Sequence, residues 1–172
     1  MTTLYLLLLG LVALERLAEL VVSTRNARWS FARGGVEHGR GHFPPMVALH
    51  AGLLVACAVE VVLAHRPFLP ALGWTALAAA LGSQVVRWWC IATLGHRWNT
   101  RVIVVPGLPL VTAGPYRWLR HPNYVAVVVE GIALPLVNAA WVTALVFTVL
   151  NAVLLLGFRI PAEDRALSSA QS

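Results

Sequence analysis

The stretch GPYRWLRHPNYVAVVVEGIALPLVNAAWVTALVFTVLNAVLLLGFRIPAED runs from Gly114 to Asp164 and decides how the chain is read. Its first part, Gly114 to Tyr124, packs Arg117, Arg120, His121, Tyr116, Tyr124 and Trp118 against the start of an apolar run. Two apolar segments follow, near Tyr124–Val137 and Ala139–Phe158, divided by Pro135 and Asn138. A helix needs about 20 residues to cross a bilayer, so the second segment is long enough and the first is short. Together they read as a tight helical hairpin, tilted or incompletely spanning. The charged run RIPAED closes the stretch and reads as a short C-terminal helix.

Three more apolar segments precede it, near Thr3–Val22, Pro45–Ala64 and Pro70–Leu94. The expected fold is therefore an all-α integral membrane protein with about five transmembrane helices. It forms one domain over 1–172, with three spans in 1–93 and a loop, hairpin and tail in 94–172. Composition agrees: 59% of the 172 residues are hydrophobic and 12% charged, where a soluble domain has about a quarter charged. Mean hydropathy is +0.74. The first run is expected to be a retained span rather than a signal peptide, since it lacks a preceding basic residue and carries Glu15, Arg16 and Glu19.

All 13 basic residues are arginine, and the net charge of +6 is explained by topology rather than by nucleic acid. Arg25, Arg28, Arg33 and Arg40 lie between spans one and two, and Arg97, Arg101, Arg117 and Arg120 between spans three and four. Arg159 and Arg165 are in the tail, while the opposite side has Arg66 alone. The positive-inside rule then puts both long loops and the C-terminus in the cytoplasm. Cys57 and Cys90 sit inside apolar segments without metal-ligand or disulfide spacing and are expected to be buried thiols, with no metal site.

Glu15, Glu19, His50, Arg87, Glu130 and Asn151 all fall toward the cytosolic ends of their spans. Charges in hydrocarbon pair or line a wet cavity, so either a polar chamber or a structural tie between Arg87 and Glu15 or Glu19 is expected. Glu60, near His65 and Arg66, reads as a surface residue at the outer end.

The third loop suggests a small hairpin of Arg101–Val105 with Leu110–Thr112, then a short interfacial helix over Tyr116–Arg120. His121-Pro122 ends that helix and launches span four. The aromatics also suit interfacial anchors. Guanidinium forks bind carboxylate or phosphate, aromatic faces stack on a purine or contact a cation, and His121 hydrogen-bonds near neutral pH. S-adenosylmethionine and a dinucleotide both remain compatible with that inventory.

The pattern G-x-Y-x-x-x-R-H-P-x-Y over Gly114–Tyr124, an apolar hairpin and then RIPAED resemble the isoprenylcysteine carboxyl methyltransferase family over Leu94–Leu167. Membrane sterol reductases and phospholipid methyltransferases carry related versions. The resemblance implies an S-adenosylmethionine site enclosed by the loop, the hairpin and the tail, with Tyr116, Arg120, His121, Tyr124 and Glu163 on the cofactor. It also implies catalytic roles for Arg159 and Glu163. The N-terminal pattern RLAELVVSTRNARWSFARGGVEHGRGHFPPMVALH is similar to a bacterial branch associated with type III polyketide synthases. That branch O-methylates alkylpyrones and alkylresorcinols. The implied substrate is thus a lipophilic hydroxylated molecule met at the bacterial inner membrane, with a functional link to such a synthase.

An oxygen nucleophile attacks the activated methyl, and the protein chiefly positions the reactants. A resorcinol hydroxyl benefits from a base, for which His96, Glu163 and His50 are candidates, with Arg97 or Arg159 stabilising the oxyanion. His96 also suits a role in ordering its loop. The alternatives are methylation of an isoprenylcysteine carboxylate, an NADPH-dependent membrane reductase, and a non-catalytic scaffold.

Overall fold

The computed structural model describes residues 1–169. Among the described residues six α-helices form the body: α1 Thr2–Phe31, α2 Phe43–Leu63, α3 Pro70–Leu94, α4 Pro122–Leu136, α5 Trp141–Leu154 and α6 Ile160–Ser169. Two short strands, β1 Val36–His38 and β2 Val102–Val104, pair antiparallel, with Val36 opposite Val104 and His38 opposite Val102. A π turn over Leu155–Arg159 joins α5 to α6.

Prolines in the first turn start α2, α3 and α4, where a missing N–H costs nothing. The segments Arg40–Leu63, Pro70–Arg97 and Trp141–Ser169 are long and apolar enough to cross a membrane. Their outward faces carry Val55, Val85, Leu145 and Val149, all exposed, as lipid-facing helices do. α4, with 15 residues, is apolar but shorter, and α1 carries Glu15, Arg16 and Glu19. α4 packs against α3 on one side and α5 on the other. At Gly131 of α4 an added Cβ would overlap the ring of Phe147 on α5, so glycine permits that close crossing.

At the end away from the two long connections, Tyr5, Leu9, Leu53, Cys57, Val61 and Leu134 form the apolar core. The Tyr5 hydroxyl donates to the Leu134 carbonyl at 3.0 Å. Cys57 and Cys90 are free and buried, as expected.

Several expectations change. Glu60 is no surface residue. Its carboxylate accepts from the Thr143 N–H at 2.7 Å and the Val142 N–H at 3.3 Å, and pairs with Arg66 at 2.9 Å. It caps the N-terminus of α5 from the end of α2. α1 does not stop near Val22 but continues to Phe31, because no glycine or proline follows Val22 until Gly34 and Gly35. Val102–Val104 finds its partner in Val36–His38 and not in Leu110–Thr112, which forms no strand. Pro109 lacks the N–H a local hairpin there would need, while Val36–His38 offers an intact edge.

Candidate active site

The extended part of α1 builds one wall. Ser23 and Asn26, both buried on α1, hold the chain that leaves α3. Asn26 Nδ2 donates to the carbonyls of Gly95 at 3.1 Å and Trp98 at 2.8 Å. Ser23 Oγ accepts from the Thr100 N–H at 3.0 Å. The Thr100 carbonyl is thereby presented to Arg159, whose Nη2 donates to it in a close contact.

Arg159 ends the π turn and is 4% exposed. Its Nε donates to the Tyr124 hydroxyl at 3.1 Å, and that hydroxyl donates in turn to Glu163 Oε2 in a close contact. Guanidinium, phenol and carboxylate thus form a relay from the π turn to α4 and on to α6. His121 completes it: its ring stacks on Tyr124 with centroids 5.5 Å apart. Its Nδ1 lies 3.6 Å from Glu163 Oε1 and its Nε2 3.2 Å from Asp164 Oδ1. Glu163 first, and Asp164 with it, raise the His121 pKa above the ordinary imidazole value against the opposing effect of burial.

The loop that carries these groups needs its glycine. Gly114 has φ +55°, and a Cβ there would strike the Thr93 side chain and lie 3.1 Å from Trp89 Nε1. Pro115 then starts a short 3₁₀ turn over Gly114–Arg117, shorter than the helix expected for Tyr116–Arg120. Burial raises the Tyr116 hydroxyl pKa, so it stays a neutral donor.

A cavity of about 660 Å³ is lined by Tyr116, Arg120, His121, Tyr124, Arg159 and Glu163 together. Arg120 is exposed and only loosely paired, 4.0 Å from Asp164. His96 lies apart: it is exposed, stacks on Trp29 at 5.5 Å, and does not line the cavity. It orders the loop against α1. Arg97 lines the cavity and ties the loop by donating to the Pro109 carbonyl at 2.6 Å.

The cavity continues toward Arg16, Glu19, Arg87 and His50. Arg87 forks onto Glu19, through Nη2 at 2.7 Å and Nε in a closer contact. Arg16 pairs with Glu19 at 3.0 Å, Glu15 at 3.3 Å and Glu130 at 3.5 Å. The polar chamber and the structural tie are therefore the same feature, since the tie forms part of the cavity wall. Asn151 is also buried, with its Oδ1 unpartnered among the described residues.

Thr100, Asn123 and Asp164 were not legible as site residues. Thr100 contributes a backbone carbonyl, which leaves no mark on residue type. Asn123, a cavity-lining residue, has a buried Oδ1 unpartnered among the described residues. Asp164 stands beside Glu163 in RIPAED, and two adjacent acids facing a histidine was the available signal.

Residues 75–169 match the isoprenylcysteine carboxyl methyltransferase (ICMT) family, a range that includes every member of the relay. The chain is 40% identical over 162 residues to the uncharacterized protein YpbQ of Bacillus subtilis, covering 94% of this chain and 95% of that protein. It is 25% identical over 154 residues to an uncharacterized protein of Haemophilus influenzae, covering 89% and 88% respectively. No solved structure matches it.

Proposed function

The chain belongs to the isoprenylcysteine carboxyl methyltransferase family, and from that premise we propose that it is an S-adenosylmethionine-dependent O-methyltransferase of lipophilic hydroxylated acceptors, alkylpyrones or alkylresorcinols. Family membership makes it an integral membrane methyltransferase, in keeping with its three long apolar helices. In our reading it has five spans in one domain, with the arginine-rich end in the cytoplasm of a bacterial inner membrane.

The observation that carries the reading is the Arg159–Tyr124–Glu163 relay, with His121 stacked on it, in the wall of a 660 Å³ cavity. The size suits a cofactor, for which pockets run about 300–1,000 Å³. The donor set suits this one as well. Arg120 and His121 complement a carboxylate, Glu163 and Asp164 a cationic centre, and the unpartnered Asn123 Oδ1 an amine. When bound, S-adenosylmethionine supplies a methyl group on a sulfonium with a neutral thioether as leaving group.

The chain's own residues then orient and polarise. Arg159, fixed at two points by Thr100 and Tyr124, presents a preorganised positive charge toward an acceptor oxygen. Glu163 holds Tyr124 and His121 in place and is the carboxylate we assign to take that oxygen's proton. The acceptor's alkyl chain stays among the apolar helices, and a type III polyketide synthase is the class of enzyme that would supply such a lipid.

Two assays test this. S-adenosylmethionine, and not NADPH, should raise the melting temperature of the purified protein. Membranes given labelled S-adenosylmethionine should methylate an alkylresorcinol or alkylpyrone in preference to a farnesylcysteine analogue. Transfer to the farnesylcysteine analogue alone, or stabilisation by NADPH alone, overturns the proposal.

A further inference from the structure

Beyond the relay the cavity runs past Val127 to His50 on α2 and Arg87 on α3. Its depth follows from the helices. The His50 ring meets the Phe147 ring edge-on at 5.4 Å, and Phe147 sits against Gly131. Gly131 is seven residues past Tyr124 on α4, about 10 Å at 1.5 Å per residue. That interval spans one ring and the bond forming beside it.

The chemistry at this end differs from that at the relay. His50 Nδ1 is 2.8 Å from the Met46 carbonyl, and a carbonyl only accepts, so Nδ1 carries the proton. Among the described residues no carboxylate lies within ion-pair distance of the ring, and Nε2 has no partner. The neutral ring, which lines the cavity, therefore keeps a free lone pair on Nε2. Arg87 lines the same end, is 7% exposed, and keeps Nη1 buried without a partner among the described residues. Its charge is answered: Arg16 and Arg87 stand with Glu15, Glu19 and Glu130, which leaves no surplus positive charge for an anion. One free acceptor and one free donor complement a neutral oxygen, whereas a carboxylate would face the His50 lone pair without a counter-charge.

We propose that this end is a second polar subsite, where His50 Nε2 accepts a hydrogen bond from a hydroxyl of the acceptor lipid apart from the oxygen that receives the methyl. His50 is then the specificity-determining residue, and the acceptor class is a lipid ring bearing two hydroxyls, one of which receives the methyl. The inference rests on the methyltransferase reading above and deepens it.

The test measures binding of an alkylresorcinol and of the alkylphenol with the same chain. It uses the full chain in detergent, saturated with S-adenosylhomocysteine. Wild type should bind the resorcinol about fivefold tighter, the value of one neutral hydrogen bond. His50→Leu should bring the two affinities to within about twofold while keeping its affinity for S-adenosylmethionine. His50→Gln, whose amide oxygen still accepts, should retain most of the preference. Equal binding by wild type, or an undiminished preference in a folded His50→Leu protein, overturns the subsite. Labelled-methyl transfer separates the two readings. A His50-dependent binding preference without transfer to either lipid sinks the methyltransferase reading alone. Transfer to both without preference sinks the subsite alone.

Discussion

Replacing Arg159 by alanine tests whether the relay acts in chemistry or merely ties the tail to the loop. The guanidinium donates to the Tyr124 hydroxyl at 3.1 Å and to the Thr100 carbonyl, and it is 4% exposed. Its removal leaves the Tyr124–Glu163 hydrogen bond in place, so the α4–α6 contact survives. Two charge-assisted bonds to neutral acceptors are lost, each worth about 1.5–3 kcal/mol before the vacated space takes up water. A preorganised donor aimed at developing charge contributes about 2.7–4 kcal/mol to a transition state, which is about two to three orders of magnitude in kcat. Arg159→Ala should therefore lower kcat/KM for methyl transfer about a hundredfold or more. Arg159→Lys, which keeps the charge but not the fork, should recover about tenfold of that. Turnover is measured on purified protein below the variant's melting temperature, with S-adenosylmethionine affinity determined alongside. A variant within about threefold of wild-type turnover would show that Arg159 fastens the tail and takes no part in the reaction.

Other expectations follow from the same geometry. His121 has a raised pKa in the folded protein, so its charged form is favoured there. Its stabilising contribution is complete below the unfolded value of about 6.5 and is lost as pH rises through the folded value. A thermal melt series across that window should show the melting temperature falling, and His121→Gln should flatten the trend. Arg87→Met leaves Glu19 buried with Arg16 as its one remaining ion-pair partner among the described residues and should cost about 3 kcal/mol in detergent unfolding. Adding Glu19→Leu should return most of that loss, and additive losses would refute the pairing. Glu60→Ala removes the cap on α5 and should cost about 1–2 kcal/mol, with methyl transfer reduced no more than the folded fraction.

What the sequence makes legible here is what depends on apolar length and on charge. The span from Pro70 to Leu94 falls where the hydropathy and its flanking Pro70 and Gly95 place it. The Pro135–Asn138 break becomes the turn between α4 and α5, in which Ala140 N–H donates to the Pro135 carbonyl at 3.0 Å. Pairings across the chain were not legible. Val36–His38 and Val102–Val104 are each three residues long, and such runs carry no register of their own. Ser23–Phe31 looks like a polar loop because its composition is mixed, yet Ser23, Asn26 and Ser30 are buried against Trp98–Thr100 and the glycine turn. A polar helix face that packs on backbone carbonyls resembles solvent-facing sequence until the partner is known. Glu60 misled for the same reason, since the partners that bury it include the backbone N–H groups of Val142 and Thr143.

The position of Arg159 shows how local backbone geometry completes what residue type begins. Phe147, Asn151, Leu155 and Arg159 recur every fourth residue, and all four are buried. A regular α-helix advances about 100° per residue, so each four-residue step overshoots a full turn by about 40°. Three such steps carry a side chain about 120° around the helix, far enough to swing Arg159 toward the side where Val149 and Leu156 are exposed. The π turn over Leu155–Arg159 is wider than an α turn and takes more residues per revolution, so it rewinds part of that drift. Arg159 consequently follows Leu155 inward and reaches both Tyr124 and Thr100. The same rewinding sets the phase of α6, which brings Glu163 to Tyr124 and Asp164 to His121. The R-x-x-x-E spacing places the two groups about one turn apart on any helix, but the π turn points that turn into the cavity. Helix widening at this point is thus what converts a lipid-facing segment into a wall of the site.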